Sequence, residues 1–310
     1  MVGGSVSDLG SGRLLLDLNF RDEEGLVASY LLPTDDGWSL VETGPTTCRP
    51  QLLDALGRAG AGPSDVRRVF LTHIHLDHAG GAGALAADLP NARFYVHEAG
   101  VRHLVDPARL VESARRAWGP AADELWGPVI PLPSGRVAAL AGGERFPHEG
   151  GELVTLATPG HARHHLSFFD TATGSVFTGD SAGVRLPGSG RARPAVPPPD
   201  LDLEQLFASL DRMAELGPRR LLYSHFGPVE GGVELLRDYR AAVDEWKTVA
   251  LEAARRDPSP ESVAGALRSA SSAEAPSPPW IERRGEIISS YVVAAQGLLR
   301  YFRVRGLIPG

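Results

Sequence analysis

Three histidines and an aspartate follow one short apolar strand, and this cluster constrains the fold of the chain more than any other feature. The sequence THIHLDH, residues 72–78, comes directly after the apolar run 69–71. In an extended chain His73 and His75 point to the same side, so both can reach one metal ion. The chain then turns, and Asp77 and His78 can face a second ion close by. Nitrogen and oxygen ligands of this kind suit borderline-hard divalent ions.

Three later fragments each place a metal-binding side chain after a strand or at a tight turn. They are TPGH at 158–161, FTGD at 177–180 and SHFG at 224–227. Any one of them alone is more typical of an ordinary polar residue. Together His161, Asp180 and His225 supply the ligands that a pair of metal sites still lacks, including a carboxylate able to bridge two ions. The alternative, a solvated histidine patch, conflicts with the buried strand that precedes the cluster.

The combined pattern resembles the metallo-β-lactamase superfamily. The HxHxDH motif of that family matches residues 73–78 without a gap, and its later His, Asp and His match His161, Asp180 and His225. The resemblance implies an α/β fold, namely an αββα four-layer sandwich of two mixed β-sheets with outer helices. On this basis we predict a catalytic domain over residues 1–230 and a C-terminal helical extension over residues 231–310.

The resemblance also implies how the ligands are divided between two metal ions. The first metal ion would be held by His73, His75 and His161. The second would be held by Asp77, His78 and His225, with Asp180 bridging the two. The implied cofactors are two divalent metal ions, for which zinc is favoured and iron or manganese are alternatives. A hydroxide shared by the two ions would attack a carbonyl group, so Asp77 and Asp180 are the predicted catalytic carboxylates.

Two further residues are predicted to support the ligands without binding metal. Glu42 precedes Thr43 and Gly44 where the family usually has an aspartate before Thr-Gly, and the longer acid is expected to shift that support without abolishing metal binding. His165 falls where many relatives carry a supporting histidine after the TPGH fragment. A simple hydrogen bond in the core is the alternative interpretation for His165.

A proline-rich segment follows Asp180 closely. Residues 186–199 contain five prolines, which exclude a regular helix or strand there. Arg185, Arg191 and Arg193 cluster in this part of the chain, and a guanidinium suits a carboxylate or phosphate. We therefore predict a substrate rim that orients an anionic group on a small-molecule substrate. A solvated loop is the alternative.

The rest of the chain predicts two β-rich halves, each followed by helices. The runs 14–20, 26–32 and 38–41 predict a strand meander, and everything after residue 231 is predicted to be helical. The apolar pattern from Ile288 to Phe302 predicts one core-packing helix. A homodimer face is the alternative for that helix.

Composition narrows the partners and the compartment. The net charge of -7 and the pI near 5.8 argue against nucleic acid as a general partner. The single cysteine, Cys48, cannot form an internal disulfide, and the first residues show no basic, apolar leader. The sequence has no apolar run of about 18 residues, so it predicts no membrane span. A cytoplasmic location is therefore expected.

The predicted activity is metal-dependent hydrolysis of an ester, thioester or lactone. Glyoxalase II relatives also end in a helical domain, but the basic residues with which they bind glutathione are not evident at residues 226–230. Lactonases of the family often have a tyrosine three residues after the bridging aspartate, where this chain has Gly183. The alternatives are a phosphodiester hydrolase, a mononuclear iron sulfur dioxygenase of the same fold, and a non-catalytic metal-binding or ligand-sensing protein.

Overall fold

The structure is a computed structural model, and it describes residues 4–274 and 278–309. A first mixed sheet has its strands in the order of the chain: β1 (Ser5–Asp8), β2 (Leu14–Asp17), β3 (Ala28–Thr34), β4 (Gly37–Val41), β5 (Val66–Phe70), β6 (Arg93–His97) and β7 (Val137–Leu140). The pairs β1–β2, β2–β3 and β3–β4 are antiparallel, as the predicted meander requires. The pairs β4–β5, β5–β6 and β6–β7 are parallel.

A second mixed sheet lies against the first. Its spatial order is β13 (Gly227–Glu230), β12 (Arg220–Tyr223), β11 (Ser175–Gly179), β10 (Leu166–Asp170), β9 (Gly151–Ala157) and β8 (Arg145–His148). Strands β11 and β12 are parallel, and the other neighbouring pairs are antiparallel. Strands β1 and β13 were not predicted, because both are short and partly exposed and so lack a strong apolar pattern.

The two sheets bury an aromatic core between them. Phe70 of the first sheet packs 5.3 Å from Phe168 of the second, and Tyr30 packs 5.2 Å from Phe177, measured between ring centroids. Leu31, one residue after Tyr30, belongs to the core on the opposite face of the first sheet. Both faces of β3 are buried, so apolar residues follow one another along this strand. In a strand with one exposed face, apolar and polar residues would alternate.

Helices cover both outer faces, which confirms the predicted αββα sandwich. Helices that pack on the first sheet are α1 (Arg49–Arg58), α2 (Leu76–Ala79), α3 (Ala82–Asp88), α4 (Glu98–Val105), α5 (Ala108–Trp118) and α6 (Ala121–Trp126). The core of the second sheet includes side chains from α7 (Leu203–Glu215), α8 (Gly232–Arg256), α9 (Pro260–Glu274) and α11 (Tyr291–Val304). Helix α10 (Pro279–Ile288) places Ile288 in the core of the first sheet.

The pattern from Ile288 to Phe302 does not form one helix. Helix α10 ends at Ile288, and α11 begins at Tyr291 because the side chain of Ser290 accepts a hydrogen bond from the amide of Val292 at 3.2 Å. After residue 231 the described residues form α8, α9, α10 and α11 joined by short connections such as 257–259, which agrees with the predicted helical extension. The division into two domains at residue 230 stays a prediction.

None of the helices within residues 4–274 and 278–309 combines the length and the apolar character that a bilayer crossing requires.

Strand ends bring the predicted ligands together. Strand β5 ends two residues before Thr72, and parallel strands β11 and β12 end directly before Asp180 and near His225. Strand β9 runs in the same direction as β11, because both are antiparallel to β10, and it ends shortly before His161. The four ligand segments therefore meet at one edge of the sandwich.

Candidate metal centre

The first predicted ligand set forms a compact group of ring nitrogens. His75 Nδ1 lies 2.9 Å from His73 Nε2 and 3.0 Å from His161 Nε2. The ligand atoms of the three residues all lie within 4.8 Å of one another. Burial lowers the pKa of His75 to about 3 and lowers that of His73 and His161, so the rings stay neutral. Three converging neutral imidazoles are a donor set that fits a divalent metal ion.

The second predicted set forms an adjoining group. His225 Nε2 lies 3.2 Å from His78 Nε2 and 3.4 Å from Asp77 Oδ2. These ligand atoms also lie within 4.8 Å of one another. Two imidazoles and a carboxylate are again ligands suited to a divalent ion. The structure thus brings together all six residues that the sequence divided between two metal sites.

Asp180 lies between the two groups. Its Oδ2 is 3.6 Å from His161 Nε2 in the first group, and its Oδ1 is 3.3 Å from His78 Nε2 in the second. The side chain is buried among histidines of both groups. Burial raises the pKa of this carboxyl, but the charge interaction with His78 outweighs burial and holds the pKa well below its usual range. A buried carboxylate is costly unless a cation compensates it, so this residue also fits a metal ion.

Backbone carbonyls hold two of the ligand rings in place. His161 Nδ1 donates to the carbonyl oxygen of Ala195 at 2.9 Å, and His225 Nδ1 donates to that of Leu26 at 2.7 Å. Each bond leaves the Nε2 lone pair of the ring directed at the ligand groups. Hydrogen bonds of this type fix the tautomer and orientation of metal-binding histidines. The sequence did not indicate Ala195 or Leu26, since a backbone acceptor carries no residue signature.

Glu42 supports three segments of the site at once. Its Oε1 accepts from His78 Nδ1 at 3.1 Å, from the hydroxyl of Thr72, and from the hydroxyl of Ser224 at 3.3 Å. Thr72 in turn accepts from His73 Nδ1 at 3.0 Å. The contact joins Glu42 to a candidate ligand, and its support of metal binding stays a prediction. Thr72 also contributes to the site, although its place at the start of THIHLDH gave no signal of a supporting role.

His165 contacts the bridging candidate through the backbone. Its Nε2 accepts a hydrogen bond from the amide of Asp180 at 3.1 Å, and its Nδ1 lies 2.8 Å from the hydroxyl of Thr158. The ring is fully buried. His165 therefore contacts the chain at Asp180 and lies outside the two ligand groups, and its supporting role in metal binding stays a prediction.

A cleft opens onto this cluster. It exposes His75, Asp77, His161 and Asp180 at one end. Its other walls come from α5 and α6, from residues 195–199, and from residues 288–294 between and within the last two helices. The cleft is thus the place where a substrate could reach the candidate metal ligands.

Two of the predicted rim arginines turn away from the cleft, which corrects the prediction of a substrate rim. Arg193 forms an ion pair of 2.7 Å with Glu282 and lies over the ring of Tyr291, 4.1 Å from its centroid. Arg191 forms an ion pair of 3.0 Å with Glu245. Both guanidiniums pair with glutamates of the C-terminal helices, which compensate their charge within the protein.

Arg185 does not line the cleft either. Its backbone amide donates to the carbonyl oxygen of His225, and its own carbonyl accepts from the amide of Phe226 at 3.1 Å. This backbone pairing holds the segment after Asp180 beside the segment after β12. The sequence placed these arginines near Asp180 correctly, but proximity in the chain did not determine the direction of their side chains.

Comparison with known proteins agrees with this fold and site. Residues 22–225 match the profile of the metallo-beta-lactamase superfamily. The match covers more than half of the chain and includes every candidate ligand from His73 to His225, and the chain belongs to this superfamily. The crystal structure of the metallo-beta-lactamase family protein TTHA1429 from Thermus thermophilus is similar, with a TM-score of 0.63 and 26% identity over 90% of this chain and 89% of that chain.

Two curated relatives match a smaller part of the chain. The metallo-beta-lactamase fold-containing protein ST1585 from Sulfurisphaera tokodaii is 32% identical over 164 residues, which cover 52% of this chain and 60% of that protein. A hydroxyacylglutathione hydrolase from Synechococcus sp. (strain JA-3-3Ab) is 29% identical over 187 residues, covering 60% of this chain and 58% of that enzyme. The chain therefore spans about 60% of the length of these relatives.

Proposed function

We propose that this protein is a dinuclear metal-dependent hydrolase that cleaves an ester, thioester or lactone bond of a small-molecule substrate. The observation that carries the proposal is the position of Asp180, with one carboxylate oxygen toward each of the two ligand groups. Zinc is the favoured ion for both groups, because imidazole and carboxylate are common zinc ligands. Metal ions bound there would supply a water of lowered pKa and polarise a carbonyl group.

The residues of the chain prepare the site for that chemistry. Glu42 holds the proton on Nδ1 of His78, and the Nε2 atom of that ring is thereby kept free to bind metal. His165 holds the amide of Asp180, so the carboxylate is placed between the groups at little cost when metal binds. Asp77 and Asp180 are both present in the cleft wall, where an incoming carbonyl group can meet the bound ions.

The type of bond is supported by the relatives and by the cleft. The similarity to a hydroxyacylglutathione hydrolase favours an acyl compound. None of the described residues that line the cleft is an arginine or a lysine, so no cationic side chain is available there to balance a phosphodiester. The complete second ligand group also favours two ions over the single iron of a sulfur dioxygenase.

Elemental analysis combined with a turnover screen tests the proposal. The protein should bind close to two divalent ions per chain and should hydrolyse members of a panel of esters, thioesters and lactones. His73→Ala and His225→Ala should each lower kcat by about 10²-fold or more, since each removes a ligand from a different group. His103→Ala, outside both groups, is the matched control. Full activity of His225→Ala with one bound ion would refute the dinuclear mechanism.

A further inference from the structure

The cleft beside the candidate ligands has walls from three parts of the chain that are far apart in sequence. Helices α5 and α6 contribute Trp118 and Trp126, whose rings meet edge to face at a centroid distance of 5.5 Å. The proline-rich segment contributes Val196, and the last two helices and their connection contribute Ile288 and Val293. Apart from its metal-binding end, the cleft is therefore walled mainly by aromatic and aliphatic side chains.

The few polar side chains on these walls are small. Ser289 donates its hydroxyl proton to the carbonyl oxygen of Pro194 at 3.1 Å, and the hydroxyl of Ser290 caps α11. Among the described residues that line the cleft, the ionisable ones are the four candidate metal ligands, and there is no arginine, lysine or glutamate. A charged group on a substrate would lose its hydration there and gain no partner of opposite charge away from the metal ions.

We propose that the cleft binds an uncharged, apolar acyl group, and that Val293 and Trp118 set the chain length it accepts. This inference rests on the proposed hydrolase function, because it assigns the acyl side of the substrate to that same site. Transfer of each methylene from water into an apolar site contributes about 0.8 kcal/mol, which corresponds to about a fourfold gain in kcat/KM.

The C-terminal wall is held in place by contacts outside the cleft. Arg193 donates to the carbonyl oxygen of Ser289 at 3.1 Å and pairs with Glu282 of α10. Arg284, also on α10, forms an ion pair of 2.8 Å with Glu23, which lies between β2 and β3. These two contacts fix the wall to the sandwich. An acyl group therefore meets a preformed surface, and little binding energy is lost in ordering the wall.

A series of p-nitrophenyl esters measures the chain-length preference. From the acetyl to the octanoyl ester, kcat/KM should rise by about fourfold per methylene until the cleft is filled. A monoester of the same length with a terminal carboxylate on the acyl chain should lose most of that gain. If the esters are hydrolysed with no dependence on chain length, or if the carboxylate is preferred, the inference is wrong while the proposed hydrolase function stands.

A blocked cleft provides the variant test. Val293→Trp should reduce the ratio of kcat/KM for the octanoyl ester to that for the acetyl ester by tenfold or more, because the added ring occupies the space of the acyl chain. The control is Val304→Trp on the same helix, whose side chain is 71% exposed and lies outside the cleft. This control should keep the wild-type ratio, and equal ratios in all three proteins would overturn the assignment of Val293.

Calorimetry with octanamide and acetamide separates this inference from the proposed function, because neither amide has to be turned over. The metal-loaded protein should bind octanamide at least 10²-fold more tightly than acetamide, and Val293→Trp should remove most of that difference. If no ester is cleaved but this preference is found, the hydrolase proposal fails and the acyl site remains. If octanamide binds no more tightly than acetamide, the acyl site is refuted whatever the catalytic result.

Discussion

The guanidinium of Arg193 lies 2.7 Å from the carboxylate of Glu282. This ion pair joins the segment that follows Asp180 to α10, the helix that ends at Ile288 in the wall of the cleft. Arg193 also lies over the ring of Tyr291 at the start of α11. An arginine predicted to contact substrate is therefore a structural link between the β-sandwich and the C-terminal helices.

Loss of this link should lower stability. Arg193→Gln removes a partly buried, charged hydrogen bond and should lower the free energy of unfolding by about 1–3 kcal/mol in urea titrations. Arg256→Gln, which breaks an exposed pair of 4.0 Å with Glu252, should change it by less than about 0.5 kcal/mol. Equal effects of the two variants would contradict the linking role. A KM increase restricted to anionic substrates would restore the substrate-rim interpretation.

Removal of Asp180 should weaken both metal groups together. Asp180→Ala is expected to lower the metal content below one ion per chain, because the carboxylate lies within reach of histidines from both groups. Elemental analysis after dialysis measures this, with exposed Asp211→Ala as the control. Removal of metal by a chelator should also lower Tm, since binding to the native state stabilises it. A full pair of ions in Asp180→Ala would exclude the bridging role.

Glu42→Gln should weaken metal binding although Glu42 lies outside both ligand groups. The amide offers one acceptor oxygen and no charge where Glu42 accepts from His78, Thr72 and Ser224. Changes of this kind cost about 10–100-fold in metal affinity, which competition with a chromophoric chelator can measure. Glu42→Asp keeps the charge and should lose less affinity. Unchanged affinity in Glu42→Gln would show that the contact with His78 does not matter for binding.

A buried ion pair far from the ligands should make stability depend on pH. Asp170 lies 2.7 Å from Arg13 and 3.1 Å from His148. Burial raises the pKa of Asp170, but hydrogen bonds from His148 and Arg13 outweigh burial and leave the pKa below its usual range. The stability that this carboxylate contributes is therefore present above about pH 4, the unfolded-state value, and is lost as the pH falls toward its folded-state value.

The matched variant is Asp170→Asn. This substitution should lower the free energy of unfolding by about 3–5 kcal/mol at neutral pH, because Arg13 would be left buried without its charged partner. The cost should shrink as the pH falls from about 5 to about 2, because the wild-type carboxylate becomes protonated as well. For His148, burial lowers the pKa, but the hydrogen bond to Asp170 outweighs burial and raises it. The stability that the protonated His148 contributes is therefore present below about pH 6.5 and is lost at higher pH. A cost that does not vary with pH would contradict this account.

Local patterns were sufficient for much of the fold. The meander β2–β4 follows from runs of apolar residues between turn residues, and each of its strands lies within a few residues of its predicted position. The break between α10 and α11 was not predicted, because Ile288 continues the apolar spacing of the next helix. The Ser- and Pro-rich run 269–279 predicts a linker between helices, but residues 269–274 form the last part of α9 and Pro279 begins α10. Residues 275–277 of this run lie outside the described residues.

For the candidate site, the chain itself determined which side chains are brought together. The spacing of THIHLDH and the three later fragments identified seven residues that meet at one edge of the sandwich, because each follows a strand that ends there. Tertiary structure alone decided that Glu42 reaches Ser224, that Arg193 faces the C-terminal helices, and that Val293 lines the cleft. The direction of a side chain depends on packing against residues distant in sequence, and a local pattern carries no information about those partners.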